Sequence, residues 1–274
     1  MREILALLKP RFWSFKNRGL SKNLKGRRLR FFLLGTIGLL FWIGTFVILY
    51  RVLTYFQRFE EFGDILAYKL LSMAMITFFS LLIFSGILTS LSKLYLSKDL
   101  PLVHSMPVSS KKIFLARWFE GTLDSSWMVF VYSLPLFLSY GIVYKAGAFY
   151  YVMAGVNILP FCLIASSLSA LVVMLVAVFL PAGHIRSVFV FLGLFLFLLL
   201  VLAFRMIRPE KFVNPESFMS LMFYLKTLES SHSPLLPTTW FFDGLRASLL
   251  GSIKNTFFHS ALSWSCALTL IYVA

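Results

Sequence analysis

From Phe149 to Leu180 the sequence reads FYYVMAGVNILPFCLIASSLSALVVMLVAVFL, with no Asp, Glu, Lys or Arg. A run of this length and composition leaves few options. A strand so apolar would need partners on both faces, whereas a helix satisfies its own backbone and can lie in hydrocarbon. At 1.5 Å per residue it spans about 45 to 50 Å, more than a bilayer core needs, so it must tilt, bend or protrude, and Pro160 is the expected bend. Similar runs cover about Phe31 to Leu53, Leu66 to Leu91, Ser125 to Tyr144, Ser187 to Phe204 and Phe257 to Ala274. The pattern predicts an all-α, polytopic helical membrane protein with about six transmembrane helices. Composition agrees: 59% hydrophobic residues, 14% charged ones and a mean hydropathy of +0.84 cannot clothe a water-soluble surface.

Charge placement orients the spans. The net charge is +15, and a basic cluster from Arg2 to Arg30 contains Glu3 as its single acid. Beside a first span such a cluster fixes the cytoplasmic side and touches anionic lipid; nucleic acid is not an expected partner. MREILALLK, at the start of the basic segment 1–30, reads as an amphipathic helix on the inner leaflet. With the N-terminus cytoplasmic, QRFEEFGD at 57–64 falls outside and residues 93–123 fall inside, carrying Lys93, Lys98, Lys111, Lys112 and Arg117. PAGHIR at 181–186 is a second inner turn, and 205–256 is an external loop despite its cations. The last segment, 257–274, is barely long enough to cross and lacks a basic inner flank, which predicts that the chain is the front part of a longer protein. The first span lacks a small-residue cleavage site, so it stays as a helix of a multi-pass protein of the cell's inner, cytoplasmic membrane.

Catalytic chemistry is missing from the pattern. Neither H-E-x-x-H nor G-x-S-x-G occurs, His104, His184, His232 and His259 lie on different segments, and Cys162 and Cys266 are apolar packing residues without metal-ligand neighbours. No metal, cofactor or catalytic residue is expected in this chain. The cores of the first five spans hold no coupling-ion carboxylate. Asn157, three residues before Pro160, is their most notable polar group, read as a bond across helices or as a pathway residue. Ser166 and Ala170 in ASSLSA form a small-x-x-x-small pair suited to close helix approach, within one chain or between two.

The inner connection LSKDLPLVHSMPVSSKKIFLARWFEG, residues 96–121, is the unusual one. Asp99 is expected to cap a short helix that tolerates Pro101 in its first turn, with Leu100, Val103 and Met106 on one apolar side. Pro107 ends it, and Ser109 or Ser110 caps the helix that climbs into the third span. There is no G-x-x-x-x-G-K-[ST] loop to cradle nucleotide phosphates, so energy for any transport must come from another chain.

With RFWSFKNR at 11–18, LYLSKDLPLVHSMPVSSKKIFLARWFEG at 94–121, DSSWM at 124–128 followed by SLP, and LLPTTWFFDGL at 235–245, the sequence resembles the permease subunits of bacterial type 2 ATP-binding cassette exporters. The resemblance implies that Asp99, Leu100, Leu102, Val103, Met106 and Pro107 form a coupling element against a separate nucleotide-binding ATPase subunit, which holds the ATP. It also implies a dimer or pseudo-dimer of membrane domains in lipid. A membrane scaffold without transport, or a membrane-embedded enzyme, is the alternative.

Overall fold

The computed structural model describes residues 13, 24–58, 63–97, 99–105, 107–179 and 236–273. The amphipathic start 1–9, the turn 181–186, the fifth span at 187–204 and residues 205–235 of the loop expected over 205–256 lie outside the described residues, as does Met106. The described residues form, in chain order, α1 (Leu24–Phe56), α2 (Gly63–Leu94), α3 (Leu100–His104), α4 (Ser110–Val143), α5 (Ala148–Phe179), α6 (Pro237–Leu249) and α7 (Ile253–Val273). All but α3 and α6 are long and apolar enough to cross a membrane, and the described residues contain no strand. The protein is an all-α, polytopic membrane protein.

Helices α1, α2, α4 and α7 are longer than the apolar runs that seed them, whereas α5 matches its run. The expected third span, from Ser125, is the second part of a single helix that starts at Ser110, so the basic segment through Lys111, Lys112 and Arg117 is continuous with it. Its 34 residues rise about 50 Å, well beyond a hydrocarbon core. Helix α5 runs unbroken through Pro160, as α4 does through Pro135. A tight turn joins α4 to α5 at the end of the bundle opposite α3, where the Gln57 side chain, just past α1, donates to the Val143 carbonyl at 3.0 Å.

The centre is built by α2, α4 and α5. Leu71, Met75, Leu82, Tyr140, Tyr150 and Phe161 are at most 2% exposed. In lipid the apolar effect does not discriminate helix from acyl chain, so close packing and hydrogen bonds select the neighbours. Tyr140 donates to the Ala67 carbonyl at 2.6 Å, joining α4 to α2. The Ser169 hydroxyl donates to Ala165 O at 2.7 Å and reaches Ile83 O across the helix interface at 3.0 Å. Gly86 makes that approach possible: a Cβ there would stand 2.5 Å from Ser169 Oγ and 2.9 Å from Ser169 Cβ. By contrast α1 packs on α4 along a narrow seam and leaves Ile37, Leu40, Phe41 and Ile48 exposed.

The segment 205–256, expected as an external loop, contains α6, which is inserted into the bundle. Phe241, Phe242 and Leu245 are buried, and Phe241 stacks on Phe161 at 4.6 Å between centroids. Thirteen residues are too few to span, so α6 enters only part of the bundle's depth. At its other end Arg246 lies over the Tyr68 ring at 4.7 Å. Gly251, with φ of +72°, turns the chain into α7, four residues ahead of the expected start of the last segment at Phe257. A left-handed backbone at that turn favours glycine because it lacks a Cβ.

Candidate docking site

At the end of the bundle where α2 stops, the chain turns sharply and forms the one-turn helix α3 before entering α4. Tyr95 N and Leu96 N bond to the Leu91 carbonyl, and Leu100 N bonds to Ser97 O at 3.2 Å. Val103 N then closes on Asp99 O at 2.9 Å and Ser105 N on Pro101 O at 3.2 Å. Pro101 sits in the first turn, where its missing N–H has no helical partner to lose. Asp99 and Ser109 occupy the two N-cap positions, yet neither side chain makes a capping bond. The expected capping role of the Asp99 carboxylate is replaced by another: it accepts from the Ser97 hydroxyl and pairs with Arg117 of α4. First the Ser97 hydroxyl and then the Arg117 guanidinium hold the Asp99 carboxyl below its ordinary range, at about 2.

The apolar side of α3 faces inward. Val103 is 7% exposed, and Leu100 is half-buried, lining a cleft of about 410 Å³ with Lys93, Ile113, Phe114, Arg117 and Met174. Of the residues expected to meet a partner, Val103 is thereby removed from the exposed surface. Leu102, one residue away and on the other side of the turn, is 65% exposed, and Pro101 and Pro107 are exposed with it. Asp99 and Ser105 are exposed as well, so Leu102 is the large apolar side chain that the described part of α3 leaves uncovered.

Behind α3 stands a chain of alternating charges that the sequence analysis did not assemble. Arg117 pairs with Asp99 through one guanidinium nitrogen and with Glu120 through the other at 3.3 Å. Lys93, at the end of α2, lies 3.9 Å from the same Glu120 oxygen and 3.2 Å from Asp124. Glu120, its side chain 9% exposed, is the central member and was missed altogether. The signal was present: Arg117, Glu120 and Asp124 are spaced i, i+3, i+7 and so share one face of α4.

The intramembrane candidates lie on α5. Ser166 Oγ is 2.6 Å from Thr122 Oγ, which ties α5 to α4, and Ala170 is fully buried on the same helix. Asn157 is 2% exposed and its Oδ1 has no hydrogen-bond partner among the described residues, while its Nδ2 lies against Gly244 of α6. Pro160 is buried one turn further along. Among the described residues no three His, Cys, Asp or Glu side chains converge as a metal site would require.

A family model described as "Putative ATP-binding cassette" matches residues 22–274. Against curated proteins and against solved structures the chain has no significant match.

Proposed function

The chain belongs to that ATP-binding cassette family, and on this premise we propose that it is the membrane-spanning permease of an exporter, driven by a separate nucleotide-binding ATPase subunit docked on residues 96–121. The family relation and the membrane-crossing helices together make it a transporter-associated membrane protein. The permease role, the outward direction and the ATPase partner are the further steps. The outward direction follows the sequence resemblance, and the observation that supports a docked ATPase is α3 itself. A one-turn helix is held at the end of the bundle by Val103 on its inner side and by the Asp99–Arg117 pair, while Leu102 is left in the open. An apolar knob on a short, anchored element suits a protein pocket, because its ordering cost has already been met.

A division of labour with an ATPase is supported by the sequence, which has no phosphate-cradling G-x-x-x-x-G-K-[ST] loop although its family is described by the ATP-binding cassette. The basic cluster from Arg2 to Arg30 favours a cytoplasmic N-terminus in an inner membrane, which puts α3 on the side where ATP is found. Closure of two ATPase subunits would then displace α3 and reorient the spans, each ATPase serving one membrane domain of a dimer or pseudo-dimer.

The test is co-purification of the tagged full-length gene product from its own host in mild detergent, beside its Leu102→Asp variant. The wild type is expected to bring down a nucleotide-binding subunit, and the variant, accumulating normally, to recover at least about ten-fold less of it, as loss of an apolar hot spot predicts. Recovery of no ATPase with the wild type, under conditions that preserve other membrane complexes, would sink the proposal.

A further inference from the structure

The alternating charges behind α3 do more than neutralise one another. We propose that Arg117 is the positioning residue through which a displacement of α3 is carried into α4, with Glu120, Lys93 and Asp124 fixing the helix ends it acts upon. This rests on the reading of α3 as the ATPase-docking element and names the part that makes docking mechanically useful.

Three observations carry it. The first is the two-sided geometry of the guanidinium: one nitrogen serves Asp99 at the start of α3 and another serves Glu120 on α4. A planar, delocalised fork holding two carboxylates sets an angle as well as a separation, which a single point charge does not. The second is burial. The Arg117 side chain is 16% exposed and that of Glu120 9%, so this contact within α4 is screened less by water and salt than a surface one, whereas the Asp99 carboxylate on the α3 side is 51% exposed. The third is continuity, because Glu120 also faces Lys93, which reaches Asp124, so that the end of α2 and one stripe of α4 are tied into the same chain. From Arg117 onward α4 is an unbroken helix to Val143 at the opposite end of the bundle.

The rival use of this corner, as a site for an anionic lipid headgroup, is disfavoured by the same contacts. Both cations lining the cleft already face carboxylates.

The experiment uses the full chain with its ATPase subunit in liposomes. Cys162 and Cys266 are replaced by serine, and Leu134→Cys on the exposed side of α4 carries an environment-sensitive fluorophore. ATPase recovery, ATP-dependent fluorescence change and thermal stability are read for wild type, Arg117→Gln and Arg117→Lys. Per ATPase recovered, Arg117→Gln is expected to lose the ATP-dependent signal at least about five-fold while keeping its fold, the lower range of coupling between distant sites. Arg117→Lys, which keeps the charge without the fork, should retain an intermediate signal. A full signal per bound ATPase in Arg117→Gln, a signal in Arg117→Lys no larger than in Arg117→Gln, or loss of the fold or of all ATPase from Arg117→Gln would each overturn the positioning role. Absence of an ATPase from the wild type would instead overturn the docking reading, and the inference with it.

Discussion

Replacing Gly86 by alanine tests how the bundle is assembled. A Cβ at this position would lie 2.5 Å from Ser169 Oγ and 2.9 Å from Ser169 Cβ. Rotating the serine removes the first conflict only, because Ser169 Cβ is fixed to the α5 backbone, so α2 and α5 must separate. Overpacking of this kind costs about 1–3 kcal/mol. Separation also sacrifices the Ser169 to Ile83 bond of 3.0 Å, an interhelical bond in lipid worth on average about 0.6 and at most about 1.7 kcal/mol. Together they predict destabilisation of about 2–4 kcal/mol, read as equilibrium unfolding in mixed micelles by tryptophan fluorescence. Ser169→Gly removes the obstacle and the hydrogen bond together and, as a mid-helix glycine, costs about 1–2 kcal/mol alone. If the clash is the cause, the double variant is more stable than the sum of the singles by at least about 1 kcal/mol. Additive losses, or a Gly86→Ala protein within about 0.5 kcal/mol of wild type, would refute the close-approach account of the α2–α5 interface.

Three further outcomes follow from the loop and the membrane interior. Val103→Asp forces a carboxylate into a position 7% exposed and should prevent accumulation of the protein, whereas Leu102→Asp should unfold within about 0.5 kcal/mol of wild type; equal yields of the two by fluorescence-detected size exclusion would show the orientation of α3 to be wrong. The Asp99 carboxyl is held at about 2, and a lowered folded-state pKa stabilises above the unfolded value and loses that contribution as pH falls through the folded one. Protection of the α3 amides from hydrogen exchange, corrected for intrinsic rate, should thus be level from pH 8 to 5 and drop only between about pH 4 and 2; a drop near pH 6 would contradict the assigned pairing. Asn157→Leu removes an amide whose Oδ1 has no partner among the described residues, so unfolding should show neutrality or a gain, within the roughly 1–3 kcal/mol that an unsatisfied buried group costs; a loss above about 1 kcal/mol would show that its amide nitrogen holds the α5–α6 contact.

The loop illustrates how far the residue pattern reaches. Its helix, its first-turn proline and the continuation through Lys111 and Lys112 were all readable, because backbone geometry and proline stereochemistry act within a few residues. The direction in which that helix faces was not. Leu100 and Val103 share an apolar side by spacing, but whether such a side meets a partner or the protein's own bundle depends on what stands behind it, and Ile113 and Met174 stand behind the cleft. Asp99 looked like a cap because aspartate often is one. Arg117, 18 residues on, competes for its carboxylate and holds it.

By itself the sequence determined the helical membrane class and the main spans within the described residues. A lipid-exposed backbone must satisfy its own hydrogen bonds locally, so a long apolar run commits to a helix before any neighbour is known. Tertiary structure alone decided the charge chain from Asp99 to Asp124, since its members come from three elements and its order exists only once α2 and α4 are side by side. It also decided the place of α6. With Thr238, Thr239, Asp243 and Arg246 in thirteen residues, that segment is too short and too polar to announce itself as membrane-inserted. It is carried into the bundle because Phe161 and Tyr68 on other helices receive Phe241 and Arg246 there.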